Sequence, residues 1–295
     1  MVQQNLLNTS NVEVIASMGG MTVLQHKMDL STSPLTSRME YYSAQMKVQK
    51  KQVLLALNGN SYCIQAGAMQ WMSGQVSMES GVKGVGGFLG KAVASAVTKE
   101  SVAKPIYTGY GEMMLEPTYR HIILTNVEDW GGQIVLDDGL FLACDGTLQQ
   151  KVVARSNLSS AVLGKEGLFN LSIVGKGVLA IESIVPREEL IEIVLQDDVM
   201  KIDGNMAVAW SGSLSFTVEK SGKSLLGSAV SGEGLVNVYR GTGRIWMAPV
   251  LYGGYSAGET VSTETAANGQ TGTKMAKVDV GNAVDAVSSV LKMFK

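Results

Sequence analysis

The sequence predicts an all-β protein made of three diverged copies of one β-unit, with a helix at its C-terminal end. Three observations predict it. Thirty-four glycines against five prolines in 295 residues, with 45% hydrophobic content, describe a buried core served by many tight turns. A set of turn residues and apolar landmarks returns three times in the same order. Between landmarks apolar and polar residues alternate, as in Leu214, Phe216 and Val218, the period of a half-buried strand.

The units span about residues 52–117, 131–186 and 197–249. Each opens on a hairpin-type turn, Asn58-Gly59, Asp137-Asp138-Gly139 and Asp203-Gly204, whose residues tolerate positive φ. The strand that follows ends at a small-residue break around Gly67, Gly146 and Gly212, which reads as a bend or bulge. Next come Phe88-Leu89-Gly90, Val162-Leu163-Gly164 and Leu225-Leu226-Gly227, then Lys99-Glu100, Lys165-Glu166 and Gly232-Glu233, where another strand starts. The last landmark is a Gly-x-Gly turn, at Gly109 and Gly111, Gly175 and Gly177, and Gly241 and Gly243, leading into bulky apolar residues. Gly109 to Gly175, Gly175 to Gly241, Gly146 to Gly212 and Asp137 to Asp203 are all 66 residues. In the first unit Gly67 to Gly109 is 42 residues where the later units have 29, so 13 extra residues fall near 82–104. That stretch, which holds Phe88 and Leu89, is expected to be a loop outside the common frame.

Residues 252–275 are linker-like in composition, and the pattern then turns helical over 276–295. Val280, Val284, Val287, Leu291 and Phe294 follow 4,3,4,3 spacing on one helix face. Asp279 near the start and Lys292 and Lys295 near the end suit the macrodipole. A helix this short is unstable alone in water, so its apolar face is expected to dock.

The run from Gly234 through Val236, Tyr239, Arg240, Gly241, Gly243, Arg244 and Trp246 to Pro249, with its upstream Leu-Gly and Gly-Glu marks, resembles the altered-inheritance-of-mitochondria family, which has many bacterial members. The resemblance covers roughly residues 12–250. It implies a fold similar to the tryptophan RNA-binding attenuation protein, present three times as a double-stranded β-helix or sandwich. It implies no catalytic residues.

Composition excludes several classes of function. A net charge of -2 with dispersed lysines lacks the footprint of a nucleic-acid binder, and the one basic cluster, Lys47, Lys50 and Lys51, reads as a solvated face. No run of eighteen uncharged apolar residues exists to span a membrane, and the first thirty residues show neither a secretory nor a transit pattern. Cys63 and Cys144 lack metal-ligand spacing and read as buried thiols in a reducing cytoplasm. His26 and His121 stand alone, Asp137-Asp138 and Asp197-Asp198 sit where turns are expected, and no phosphate loop, dinucleotide fingerprint or GxSxG is complete. No cofactor or metal is expected.

What stands out besides the frame is its additions. Arg240 and Arg244 flank the third Gly-x-Gly where the other units carry no arginine, and with Phe88, Leu89, Val284, Val287, Leu291 and Phe294 they are the candidate interaction residues. The expectation is a non-enzymatic structural or interaction protein whose partner is another protein, itself or a membrane surface. The alternative is a binding module for a small apolar ligand or RNA, by analogy of fold.

Overall fold

The computed structural model describes residues 4–79, 104–154, 169–203, 206–220 and 235–249, and of residues 154, 169, 203, 220 and 235 the backbone alone. The fold is all-β. Its strands are β1 (Val12–Met18), β2 (Met21–His26), β3 (Lys51–Ile64), β4 (Met69–Glu79), β5 (Ile106–Leu115), β6 (His121–Asn126), β7 (Gln133–Leu136), β8 (Phe141–Asp145), β9 (Gln149–Ala154), β10 (Phe169–Val174), β11 (Val178–Ser183), β12 (Ile191–Asp203), β13 (Ala207–Ser211), β14 (Ser215–Lys220) and β15 (Leu235–Met247). One helix, α1 (Ser37–Gln45), joins β2 to β3. The predicted features at residues 82–103, at Glu166 and Glu233, and over 252–275 and 276–295 lie outside the described residues, as do Phe88, Leu89, Val284, Val287, Leu291 and Phe294.

The strands form two antiparallel sheets. The first runs β1-β2-β3-β8-β11-β6, with β5 paired to both β3 and β4, and the second runs β12-β15-β13-β7-β10-β9, with β14 on β15. β3 reads as a near-continuous apolar run, Val53, Leu54, Leu55, Leu57, Tyr62, Cys63 and Ile64, because both its faces are covered. The largest core cluster lies between the sheets. Ile123, Phe141, Cys144, Leu179 and Ile181 from the first sheet meet Ile134, Leu136, Ile173, Val208 and Trp246 from the second. Trp130, in a 3-10 turn between β6 and β7, stands edge-on to Trp246 at 4.7 Å and donates to Thr125 Oγ1 at 3.0 Å.

Three groups of strands are each built around a strand or strand pair with a neighbour on either side. β5 lies between β3 and β4. β10 lies between β7 and β9, and its continuation β11 between β6 and β8. β15 lies between β12 on one side and β13 and β14 on the other. In each case a bulge falls at one place in the outer ladder, between Met69 and Trp71, opposite the Ala180/Ile181 step, and between Ala207 and Ala209.

Several expected turns take a different form. Gly109 and Gly111 do not reverse the chain; they lie inside β5, and Gly241 and Gly243 inside β15, while Gly175 and Gly177 lie in the bend between β10, in the second sheet, and β11, in the first. In β5 and β15 they sit where one long strand passes between its neighbours. The physical requirement is steric: a Cβ on Gly111 would stand 1.9 Å from the Ser73 carbonyl oxygen, and one on Gly109 2.0 Å from that of Gln75. Asn58-Gly59 is likewise a bulge within β3, at the register shift between Asn58 and Ser61, and not a hairpin. Asp137-Asp138-Gly139 does make a turn, but β7 and β8 join different sheets and so form no hairpin. Gly146 and Gly212 sit in tight turns closed by Leu148 N to Asp145 O and Leu214 N to Ser211 O.

Gly67 also lies in a turn, between β3 and β4, as Gly139 does between β7 and β8. The glycine facing Gly111 across the β4·β5 ladder is Gly74. Gly74 to Gly109 spans 35 residues, and Gly146 to Gly175 and Gly212 to Gly241 span 29 each.

Candidate interaction surfaces

The segment between β2 and β3 is pinned at its base. Asn11 Nδ2 donates to the Met28 carbonyl at 2.9 Å while Met28 N donates to Asn11 Oδ1 at 3.1 Å, and Gln49 Nε2 donates to the Lys27 carbonyl at 2.8 Å. Asp29 accepts from Lys50 Nζ at 2.8 Å and from the Tyr119 hydroxyl at 2.8 Å. The Lys50 bond holds the Asp29 carboxyl below its ordinary range, and the same carboxylate pushes the Tyr119 phenol up to about 12. Above this base the chain forms α1, which opens after the Ser33 and Thr36 hydroxyl cluster. It closes in a Schellman turn, with Val48 N on Ser43 O, Lys47 N on Ala44 O, and Lys47 at φ 60.

No residue of α1 is buried. Leu35 is 95% exposed, Met46 76% and Met39 62%, with Tyr41, Tyr42 and Val48 also in water. Met39, Tyr42 and Met46 share one helix face and, with Arg38, Ser43 and Val48, line an open groove of about 550 Å³. An isolated exposed leucine needs no explanation, but a contiguous group of large apolar side chains on one short segment does.

The two arginines singled out in the sequence are engaged by neighbouring carboxylates. Arg240 Nη1 meets Glu219 Oε1 at 2.7 Å and Thr217 Oγ1 at 3.0 Å, which ties β15 to β14. Arg244 Nη1 reaches Glu192 Oε1 at 3.3 Å across β12 and β15 and lies 5.8 Å from the Trp130 ring centroid. Arg187 shares Glu192 and stacks on Trp246 at 4.4 Å. The basic cluster also disperses: Lys47 closes α1, Lys50 pairs with Asp29, and Lys51 is buried, its ammonium pKa lowered by desolvation.

Titratable groups serve the frame in the same way. His26 Nε2 bonds Gln52 Oε1 at 3.0 Å, and the half-buried His121 is held below its usual pKa by desolvation. Asp145 accepts from Val178 N at 2.7 Å, while burial pushes its pKa up. Asp197 sits at φ 52 in the β12 bulge, where its N–H donates to Thr242 Oγ1 at 3.0 Å. Among the described residues no three His, Cys, Asp or Glu side chains are grouped to hold a metal. Cys63 faces Cys144 directly across the β3·β8 ladder, both buried, and the Cys144 thiol is held well above its ordinary pKa by its bond to Cys63 and by burial. Neither thiol is therefore expected to react with a maleimide at pH 8 in the native protein, and both should react on unfolding in urea; rapid labelling of the folded chain would contradict this packing.

Several strands pair on one side only among the described residues, and two of them, β4 and β12, are long. Among the described residues β4 pairs only with β5, and β12 only with β15. They are long, at 11 and 13 residues, and Met72, Met78, Ile191, Val194 and Val199 on them are exposed.

Residues 42–250 match the family described as mitochondrial biogenesis AIM24, the family that the run ending at Pro249 resembles. An uncharacterized protein of Streptococcus pyogenes serotype M6 is 32% identical over 197 residues, covering 64% of this chain and 77% of the relative. The X-ray crystal structure of a Streptococcus pyogenes protein is similar at a TM-score of 0.52 and 27% identity, over 70% of this chain and 91% of the other. No helix among the described residues is long and apolar enough to cross a membrane.

Proposed function

We propose, for a chain that belongs to the mitochondrial biogenesis AIM24 family, a non-enzymatic interaction function: a frame of three like β-units, in a double-stranded β-helix arrangement, presents α1 to a protein partner. The repeated pairing scheme supports the frame. In each unit a central strand carrying Gly-x-Gly runs between two outer strands, and a positive-φ residue recurs at one place in the first of these, Gly59, Gly131 and Asp197. Residues of the first unit's outer strands map onto the second 72 positions on, and those of the second onto the third 66 positions on.

The observation that carries the function is the uncovered apolar face of α1. Tyr, Met and Arg are the residue types enriched in protein interfaces, and here Arg38, Met39, Tyr41, Tyr42 and Met46 stand together on a pinned scaffold. A lipid surface fits less well, because α1 offers one arginine against one glutamate and so no net attraction to anionic headgroups.

The test is the full chain carrying Tyr42→Asp and Met46→Asp, immobilised beside wild type and exposed to extract of its native cell. Both positions are exposed, so the far-UV spectrum should not change. Retention of the partner should fall by about 30-fold or more, the effect of losing roughly 2 kcal/mol at an interface anchor. Equal retention by both proteins would refute the proposal, as would loss of binding to anionic vesicles in place of loss of a protein.

A further inference from the structure

The units are joined to one another by a single kind of contact, in which the first outer strand of one unit pairs with the second outer strand of the next. At the first joint β3 pairs with β8 through Tyr62↔Asp145, Cys63↔Cys144 and Ile64↔Ala143. At the second β7 pairs with β13 through Ile134↔Ser211, Val135↔Trp210 and Leu136↔Ala209. The unit-to-unit offsets of 72 and 66 carry the first set of pairs onto the second without a slip. The chemistry is carried over too: Ile or Leu faces Ala at one end, and a large residue faces a small polar one at the other.

Applied once more, the same rule pairs Met200 with Ser73, Lys201 with Met72, and Ile202 with Trp71. That joint is not made among the described residues. Its two halves are the open edges of β12 and β4. At the second joint all six paired residues are buried, and at the first five of six are, whereas in the third set Ile202 alone is buried, Met72 and Lys201 are exposed, and Met200, Trp71 and Ser73 are only partly covered. A long strand edge left in water is a template for another strand, which stable proteins either cover or disfavour. Neither β12 nor β4 carries a proline; β12 carries Glu192, Asp197, Asp198, Lys201, Asp203 and a bulge, and between them the edge residues Val194 and Val199 favour pairing.

We infer that β12 of one chain pairs antiparallel with β4 of a second copy, in the register Met200↔Ser73, Lys201↔Met72 and Ile202↔Trp71. The occupant is a copy of this chain because the required edge, with its bulge and its flanking glycine, is one that the chain itself carries and leaves unpaired among the described residues. The two edges differ, so the contact is head-to-tail, and each copy uses both edges. The inference rests on the three-unit reading above.

Cysteine cross-linking tests it. In a chain with Cys63→Ser and Cys144→Ser, one preparation carries Met72→Cys and another, with a size tag, Lys201→Cys. Both sites are exposed, and Cα atoms facing each other across antiparallel strands lie within disulfide range. Mixed and oxidised, they should give a covalent heterodimer at least tenfold in excess of any dimer from either alone. A chain carrying both cysteines that closes on itself and stays monomeric would overturn the inference in favour of closure within the chain. Absence of the heterodimer would overturn the copy-to-copy joint while leaving the three-unit frame standing. Scanning the second cysteine over residues 199–203 separates the remaining case: a maximum away from 201 would show that the register, and with it the three-unit reading, is wrong.

Discussion

Trp130→Ala is expected to destabilise the protein by about 3–5 kcal/mol, the range for deleting a fully buried aromatic ring. Trp130 is 2% exposed and packs at the point where the two sheets share one core. Its removal opens a cavity against Trp246, leaves the Thr125 hydroxyl without its donor, and takes away the ring beneath Arg244. Since a folded domain is stable by only about 5–15 kcal/mol, the variant should retain a small fraction of the wild-type margin. Urea denaturation followed by tryptophan fluorescence and circular dichroism checks this. The midpoint should fall sharply with little change in slope, and Trp130→Phe should lie between the two. A Trp130→Ala midpoint near that of wild type would mean that the sheets do not share this core.

Gly111→Ala is expected to cost about 2–5 kcal/mol although it adds a single methyl group, because a positive-φ strain and a close overlap act together. The backbone is at φ 156, and the new Cβ would meet the Ser73 carbonyl at 1.9 Å and the Gly74 Cα at 3.1 Å. Both contacts are backbone, so nothing yields without parting β4 from β5. Alanine at Gly67, also at positive φ but with nothing within 4 Å of its Cβ, bears the strain alone and should cost less. Thermal melts of the two variants side by side give the comparison. Equal losses would show that close strand approach plays no part at Gly111.

The all-β class was legible in the sequence because strand-period alternation and many turn and bulge glycines leave a local signal. Gly175 and Gly241 both sit at positive φ, the one between β10 and β11 and the other inside β15. What misled was the identity of the glycines. Gly67 and Gly74 both punctuate the first unit, and only ladder pairing shows that Gly74 is the one facing Gly111. Asn58-Gly59 carries hairpin chemistry yet makes a bulge, since the same positive φ serves both uses.

The exposed face of α1 had a sequence signal that was passed over. Met39, Tyr42 and Met46 recur at intervals of 3 and 4 between a Ser/Thr/Pro cluster and Lys47, which is a helical period. What no period reveals is that no strand among the described residues covers this face. Arg240 and Arg244 were visible as departures from the repeat, but their partners Glu219 and Glu192 come from other strands and could be found only in three dimensions. The open joint was hidden for the same reason, because an unpaired edge is a property of the whole strand order.

Amide hydrogen exchange of the unmodified protein, followed from dilute to concentrated solution, tests the three-unit frame and its open joint together. Residues 62–64 and 143–145, and residues 134–136 and 209–211, sit in joints made within the chain and should be protected at every concentration. Within residues 71–73 and 200–202 the amides that face away from β5 and β15 should exchange quickly when dilute and approach the same protection, both segments together, as concentration rises. Exchange at those two segments that stays fast throughout, or protection of one without the other, would contradict the joint between copies.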